Sequence, residues 1–216
     1  MARHHPNPEL QVDAFGEAAL LVRIPDQALV HALTAALVAD VVDGRLLDVV
    51  PGDGTLLIRF DGTDAGEADA RRRVAAAFAD PPVPSAPRRH EIPVRYGGDD
   101  GPDLSTTAAL LGVTPERLIE LHAGREYKVR FLGFAPGFAY LGDLAPELVV
   151  RRLELPRTTT PAGSVAIAEG YTGVYPASLP GGWRIIGRTA AVLFEPSADP
   201  PTTLLPGDIV RFRPAR

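Results

Sequence analysis

Apolar positions fall into short blocks along the chain, some alternating with polar residues and some recurring one helical turn apart. Residues 18–24 (AALLVRI) are strand-like and are closed by Pro25-Asp26. Behind Asp26, a good N-cap, Leu29, Leu33 and Leu37 recur with Val30 and Val38 beside them, which predicts an amphipathic helix with His31 as a partly exposed member. Residues 46–50 and 55–60 read as a hairpin turned by Pro51-Gly52-Asp53-Gly54. A second helix over 64–79 starts at Asp64, with Glu67 three residues on, and turns Val74 and Phe78 toward the sheet. Strand, helix, strand, strand, helix becomes a ferredoxin-like unit if residues 91–96 (EIPVRY) add a last strand. Four prolines in 80–87 make that segment the best linker, so a small α/β domain is expected over 1–86 and a second domain over 87–216, with the 91–96 strand assignable to either.

The second half changes texture. Residues 97–104 form an acidic turn, and Thr114-Pro115-Glu116 opens a short helix that runs to His122 and stops at Gly124. From 127 to 189 glycines and prolines alternate with aromatic and aliphatic residues. Proline fixes φ and lacks a donor, so this run cannot be a long helix; its apolar content gives short strands joined by specified turns, the pattern of a small β barrel or sandwich. Residues 190–196 (AAVLFEP) and 209–213 (IVRFR) read as closing strands.

Composition narrows the function. The chain has 216 residues, 45% of them hydrophobic and 23% charged, the make-up of a soluble globular protein. A formal net charge of −5 argues against capture of nucleic acid, and Arg71-Arg72-Arg73 reads as a solvated helix surface. With no cysteine there is no thiolate chemistry or disulfide, and no apolar window suits a membrane span or signal peptide, so a cytoplasmic location is expected. His4-His5 reads as a mobile terminus rather than a metal site, and the 97–104 acids lack the alternate ligand spacing of a calcium loop.

Familiar catalytic loops are missing: there is no Gly-Lys-Ser/Thr phosphate loop, dinucleotide fingerprint, Gly-x-Ser-x-Gly elbow or His-Glu-x-x-His. What remains is a set of polar side chains among the turns: Tyr140, Arg157, Ser164, Thr172, Tyr175, Arg188 and Thr189, with His122 upstream. Arginines recognise carboxylates and phosphates bidentately, although each such residue can equally satisfy a turn or pack over an aromatic ring.

The stretches FLGFAPGFAYLG, PRTTTPAGSVAIA, TGVYP, PGGW and IIGRT, in that order, resemble the signature of the KipI / allophanate hydrolase subunit 1 family, and YGGDDGPDL, LIELH, EYKV and PGDIVRF extend the resemblance. The family's bacterial members include the B subunit of ATP-dependent 5-oxoprolinase. The resemblance implies an α+β chain with a small N-terminal ferredoxin-like domain and a C-terminal cyclophilin-like β barrel. It also implies partners: the KipA-like, carboxyltransferase-like C subunit of 5-oxoprolinase and its LamB/YcsF-type A subunit, which together open a lactam, 5-oxo-L-proline, with ATP. The ATP would be used by the assembled complex, its site not identifiable in this chain. Carried onto the matching motifs, the resemblance places Arg157, Thr172, Tyr175 and Arg188 as polar lining, Phe134, Phe138 and Trp183 as walls, and Gly137, Gly163 and Gly182 as the turns shaping an amide-sized pocket. The chain departs from the usual pattern at Glu169-Gly170-Tyr171-Thr172-Gly173 and at Val150-Arg151-Arg152. Alternative readings are a KipI-like inhibitor of a sporulation-type histidine kinase and a component of allophanate or urea metabolism.

Overall fold

The computed structural model describes residues 10–83 and 86–215, so the His4-His5 pair lies outside the described residues. Backbone contacts group the chain into two units, 1–86 and 87–216.

In the first unit the elements run β1 (Gln11–Ala14), β2 (Ala19–Arg23), α1 (Gln27–Val42), β3 (Asp48–Pro51), β4 (Thr55–Arg59) and α2 (Asp64–Ala79). The sheet order is β1-β2-β4-β3, antiparallel throughout, so β2 and β3 flank β4 in a split β-α-β arrangement. The edge place beside β2, open to residues 91–96 on the sequence alone, is taken by β1. Four residues with alternating polarity, QVDA, are too short a signal to read as a strand. Asp26 caps α1 by accepting the Ala28 N–H at 2.8 Å, and Val30, Leu33 and Leu37 pack on Leu20, Val22, Leu56 and Ile58. Val38 turns outward instead. The second helix is capped by Thr63, whose hydroxyl accepts the Gly66 N–H at 3.0 Å, and Asp64 is its first helical residue rather than its cap. The Arg71–Arg73 run is not simply solvated: Arg71 pairs with Glu67, Arg72 and Arg73 share Asp69, and Arg73 reaches Asp40 of α1 at 2.7 Å. Each arginine of the run is thus matched to a carboxylate.

The second unit contains β5 (Arg89–Tyr96), α3 (Leu104–Leu111), α4 (Pro115–Ala123), β6 (Glu126–Leu132), β7 (Ala139–Gly142), β8 (Arg157–Thr160), β9 (Ser164–Ala168), β10 (Tyr171–Val174), β11 (Leu179–Gly181), β12 (Arg184–Arg188) and β13 (Ile209–Pro214). Seven strands close a barrel in the order β10-β7-β6-β13-β5-β12-β9, while β8 and β11 form a separate two-stranded ribbon. Residues 91–96 therefore belong to the barrel, where β5 runs parallel to β13 from Arg89↔Ile209 to Val94↔Pro214. The strand expected over 190–196 does not form; only Phe194 bridges Thr202. Pro196, Pro200 and Pro201 supply no N–H for a ladder there.

β9 explains how one barrel serves two faces. All five of its residues are buried. Val165 and Ile167 point into the barrel core with Tyr127, Leu141, Val210 and Phe212, and Ala166 and Ala168 lie under a separate aromatic cluster on the other face. The small alanines leave room for the rings above them.

Candidate functional site

That second cluster is built around Phe138. Its ring meets Phe134, Tyr140, Tyr175 and Trp183 edge to face, with centroids 5.1–5.4 Å away. Such T-shaped contacts exploit the ring quadrupole and fix orientation as well as burying area. Phe138 and Tyr140 reach the same face because they are two apart on the chain entering β7, with Ala139 and Leu141 turned inward. Together with Arg152, Gly181 and Gly182, the five-ring group lines a cavity of about 140 Å³, a few water molecules in size at roughly 30 Å³ each.

Phe134 sits at the lip in an unusual backbone state. Its φ is +69°, and the Ala135 N–H donates to the Gly133 carbonyl at 2.8 Å, closing a three-residue turn around it. This left-handed form is rare and strained for a bulky side chain, costing on the order of 1–3 kcal/mol. The strained turn leaves the Phe134 ring 58% exposed while holding its edge against Phe138 and Tyr175.

Among the expected residues, the structure brings Phe134, Phe138, Trp183, Tyr175 and Gly182 together at this cup. It places the others elsewhere. Arg157 donates to Asp103 Oδ1 at 2.6 Å, and Asp103 Oδ2 accepts the Ile185 N–H at 2.7 Å. Arg188 lies 3.6 Å from Asp100, which Arg95 also engages at 2.7 Å. Asp100 and Asp103 are thus arginine anchors while Asp99 stays exposed as a solvated turn residue, and the Arg95 hydrogen bond holds the Asp100 carboxyl below its usual range. Arg157 Nη1 and Arg188 Nε remain buried without hydrogen-bond partners among the described residues.

Thr172 is fully buried and belongs to the barrel interior, where its hydroxyl donates to the Ala166 carbonyl at 3.0 Å and accepts from His122 Nε2 at 2.8 Å. That leaves His122 Nδ1 to accept the Tyr96 hydroxyl at 2.7 Å, so the ring is neutral with its proton on Nε2. Burial holds His122 down to about 3. Its ring stacks on Phe212 at 4.6 Å, and its carbonyl accepts the Tyr127 hydroxyl at 2.8 Å. His122 is an internal plug of the barrel and not a base open to a ligand.

The expected turns also divide. Gly163 has φ +77°, and an added Cβ would lie 2.1 Å from the Thr189 carbonyl oxygen. It joins β9 to the chain after β12 through Thr189 N–H to Gly163 carbonyl, 2.9 Å. Gly137 backs onto Phe194 and Leu193 and holds the turn below Phe134. At Gly182 a Cβ would make ordinary contacts with Pro156 at 3.6 Å, whereas at Gly181 it would lie 2.2 Å from the Tyr175 hydroxyl. Gly181 is therefore the sterically required member of the pair. Gly181→Ala is expected to lower the melting temperature by several degrees, on the scale of about 1–3 kcal/mol, and Gly182→Ala to leave it nearly unchanged. Equal melts for the two variants would remove the steric role of position 181.

Arg152 and Gly181 are absent from the sequence candidates, and Tyr140, a polar candidate in the sequence but not in the pocket lining carried over from the resemblance, also lines the cup. The two-residue spacing from Phe138 is a signal that finds Tyr140; Arg152, in an irregular segment between β7 and β8, carries no periodic signal. Burial raises the Tyr140 and Tyr175 phenols, an effect that the Arg152 charge partly offsets. Among the described residues no cluster of His, Asp and Glu could hold a metal ion, and no helix is long and apolar enough to cross a membrane.

The closed barrel carries the aromatic cup on the face of β9 opposite its core. The chain belongs to the family described as carboxyltransferase domain, subdomain C and D, which matches residues 10–204. It is similar to the B subunit of 5-oxoprolinase from Bacillus subtilis (36% identity; 94% of this chain, 91% of the relative) and from Escherichia coli O157:H7 (42%; 80% and 79%). The Haemophilus influenzae protein of the same name is 46% identical over 65% of this chain and 67% of its own. Among solved structures, TTHA0988 aligns with a TM-score of 0.79 at 34% identity over 92% of this chain, but this chain spans only 40% of that longer one. PH0987 from Pyrococcus horikoshii aligns over 95% and 97% of the two chains, with 36% identity and a TM-score of 0.57. Kluyveromyces lactis urea carboxylase shares the fold at 19% identity, with a TM-score of 0.73 over 96% of this chain and 22% of the enzyme.

Proposed function

We propose that this chain is the lactam-holding B subunit of an ATP-dependent 5-oxoprolinase, acting with a KipA-like, carboxyltransferase-like C subunit and a LamB/YcsF-type A subunit. The observation that carries this reading is the cup itself. Its flat aromatic walls suit a five-membered ring and its arginine suits a carboxylate, in a chain 36–46% identical to three B subunits of that enzyme. The relatives are named as subunits. The same fold makes up 40% of TTHA0988 and 22% of urea carboxylase, which supports a module that works beside further protein.

A lactam is a stable amide, so water attack on its carbonyl needs prior activation. In the assembled enzyme a phosphoryl group would pass from ATP to the lactam oxygen, leaving ADP; one water would add to the carbon and the ring C–N bond would break with a proton going to the nitrogen, giving an acyl phosphate that a second water would hydrolyse to the carboxylate and inorganic phosphate. The cup, at about 140 Å³, is too small for a nucleotide, so ATP is assigned to the partner proteins. This chain's part is to bind the ring, orient its carbonyl and exclude water from one side. Mixing the three purified proteins should give ATP-dependent L-glutamate from 5-oxo-L-proline, while this chain alone gives none. Failure of the mixture, with each protein folded, would overturn the reading.

A further inference from the structure

Arg152 is the one cationic side chain among the described residues that line the cup. Arg157 and Arg188 are held by Asp103 and Asp100, but the Arg152 guanidinium has no ion-pair partner among the described residues. Its backbone N–H alone is engaged, donating to Glu169 Oε1 at 3.4 Å. A positive charge placed against aromatic walls, with no ion pair among the described residues, suits an anionic group on a ligand whose remaining surface is apolar and flat. Phe134 supports this from the other side of the opening. A strained backbone turn holds Phe134 exposed at the lip instead of in the protein's own core, a position from which its ring can contact a ligand in the cup.

We propose that Arg152 is the carboxylate-recognition residue of the cup, which binds small, flat-ringed carboxylic acids with the ring against Phe134, Phe138 and Tyr175. This deepens the reading above and rests on it only for the choice of 5-oxo-L-proline as the acid. The assignment separates this subsite from the Arg157 and Arg188 ion pairs, which organise the backbone around α3.

Trp183 is the only tryptophan in the chain and lines the cup, so its fluorescence reports occupancy without turnover. Titration of the full chain with 5-oxo-L-proline should give a saturable change. 2-Pyrrolidinone, the same ring without the carboxylate, should bind about tenfold or more weakly, the scale of a lost charge-assisted hydrogen bond. Arg152→Ala should bring the affinity for 5-oxo-L-proline down to that of 2-pyrrolidinone, and Arg152→Lys should restore part of it. Because Arg152 is exposed, circular dichroism and melting of both variants should match the parent. Equal affinity of Arg152→Ala and the parent, equal affinity for the two ligands, or no saturable change in the parent would each overturn the proposal. If the titrations behave as stated but the three-protein mixture makes no glutamate, the acid-binding site stands and the 5-oxoprolinase reading falls. If the mixture is active but Arg152→Ala leaves binding and KM unchanged, the reading stands and Arg152 is not its carboxylate partner.

Discussion

Acidification from pH 7 toward 4 should weaken the barrel through one histidine. In the unfolded chain His122 titrates near 6.5, whereas burial in the folded barrel holds it down to about 3. Between those values the unfolded chain binds the extra proton, so the stabilisation is complete above about pH 6.5 and is lost progressively as pH falls through about 3. The upper bound on that loss is about 5 kcal/mol, from roughly 1.4 kcal/mol per pH unit. Urea unfolding at pH 7 and pH 4.5 reads the first part of it, before most carboxylates titrate. The His122 ring resonances supply an independent check: in the folded chain they should not titrate above pH 4. A midpoint near 6.5 with the barrel intact would show that the Tyr96–His122–Thr172 chain is open to water.

Phe138→Ala carries the other large expected effect. Phe138 is 2% exposed and stands in edge-to-face contact with four rings, so truncation removes a large buried side chain and the partner of every wall of the cup. A loss of about 3–5 kcal/mol is expected by analogy with other buried Phe→Ala changes, together with the Trp183 response to ligand. The barrel core on the opposite face of β9 is a separate cluster, so the secondary structure should persist at low temperature. Chemical denaturation and far-UV circular dichroism measure both. A cost under about 1 kcal/mol would mean that the four rings hold their places without Phe138.

The walls of the cup are legible in the sequence through the family motifs that carry them. The resemblance names Phe134, Phe138 and Trp183 as walls and Tyr175 as polar lining, and the structure groups all four at the cup. The arginines cannot be sorted that way. Arg157 is claimed by an aspartate 54 residues earlier, and nothing local distinguishes it from Arg152, which is left for a ligand. Thr172 enters the expected site by its place in a motif, yet the period-two alternation of β10 turns it into the barrel toward His122. The ferredoxin-like layout is likewise readable in its β2-α1-β3-β4-α2 core. Its edge depends on whether β5 prefers the first sheet or the parallel ladder with β13, a competition between a partner in the first unit and one at the far end of the second.

On this account the ligand sits outside the barrel, in the cup, and not within it. Intermolecular nuclear Overhauser contacts from the ring protons of bound 5-oxo-L-proline test this most directly. They are expected to the aromatic protons of Phe138, Tyr175 and Trp183. Contacts to Tyr127, His122 and Phe212 in the barrel interior, with none to the cup, would contradict it.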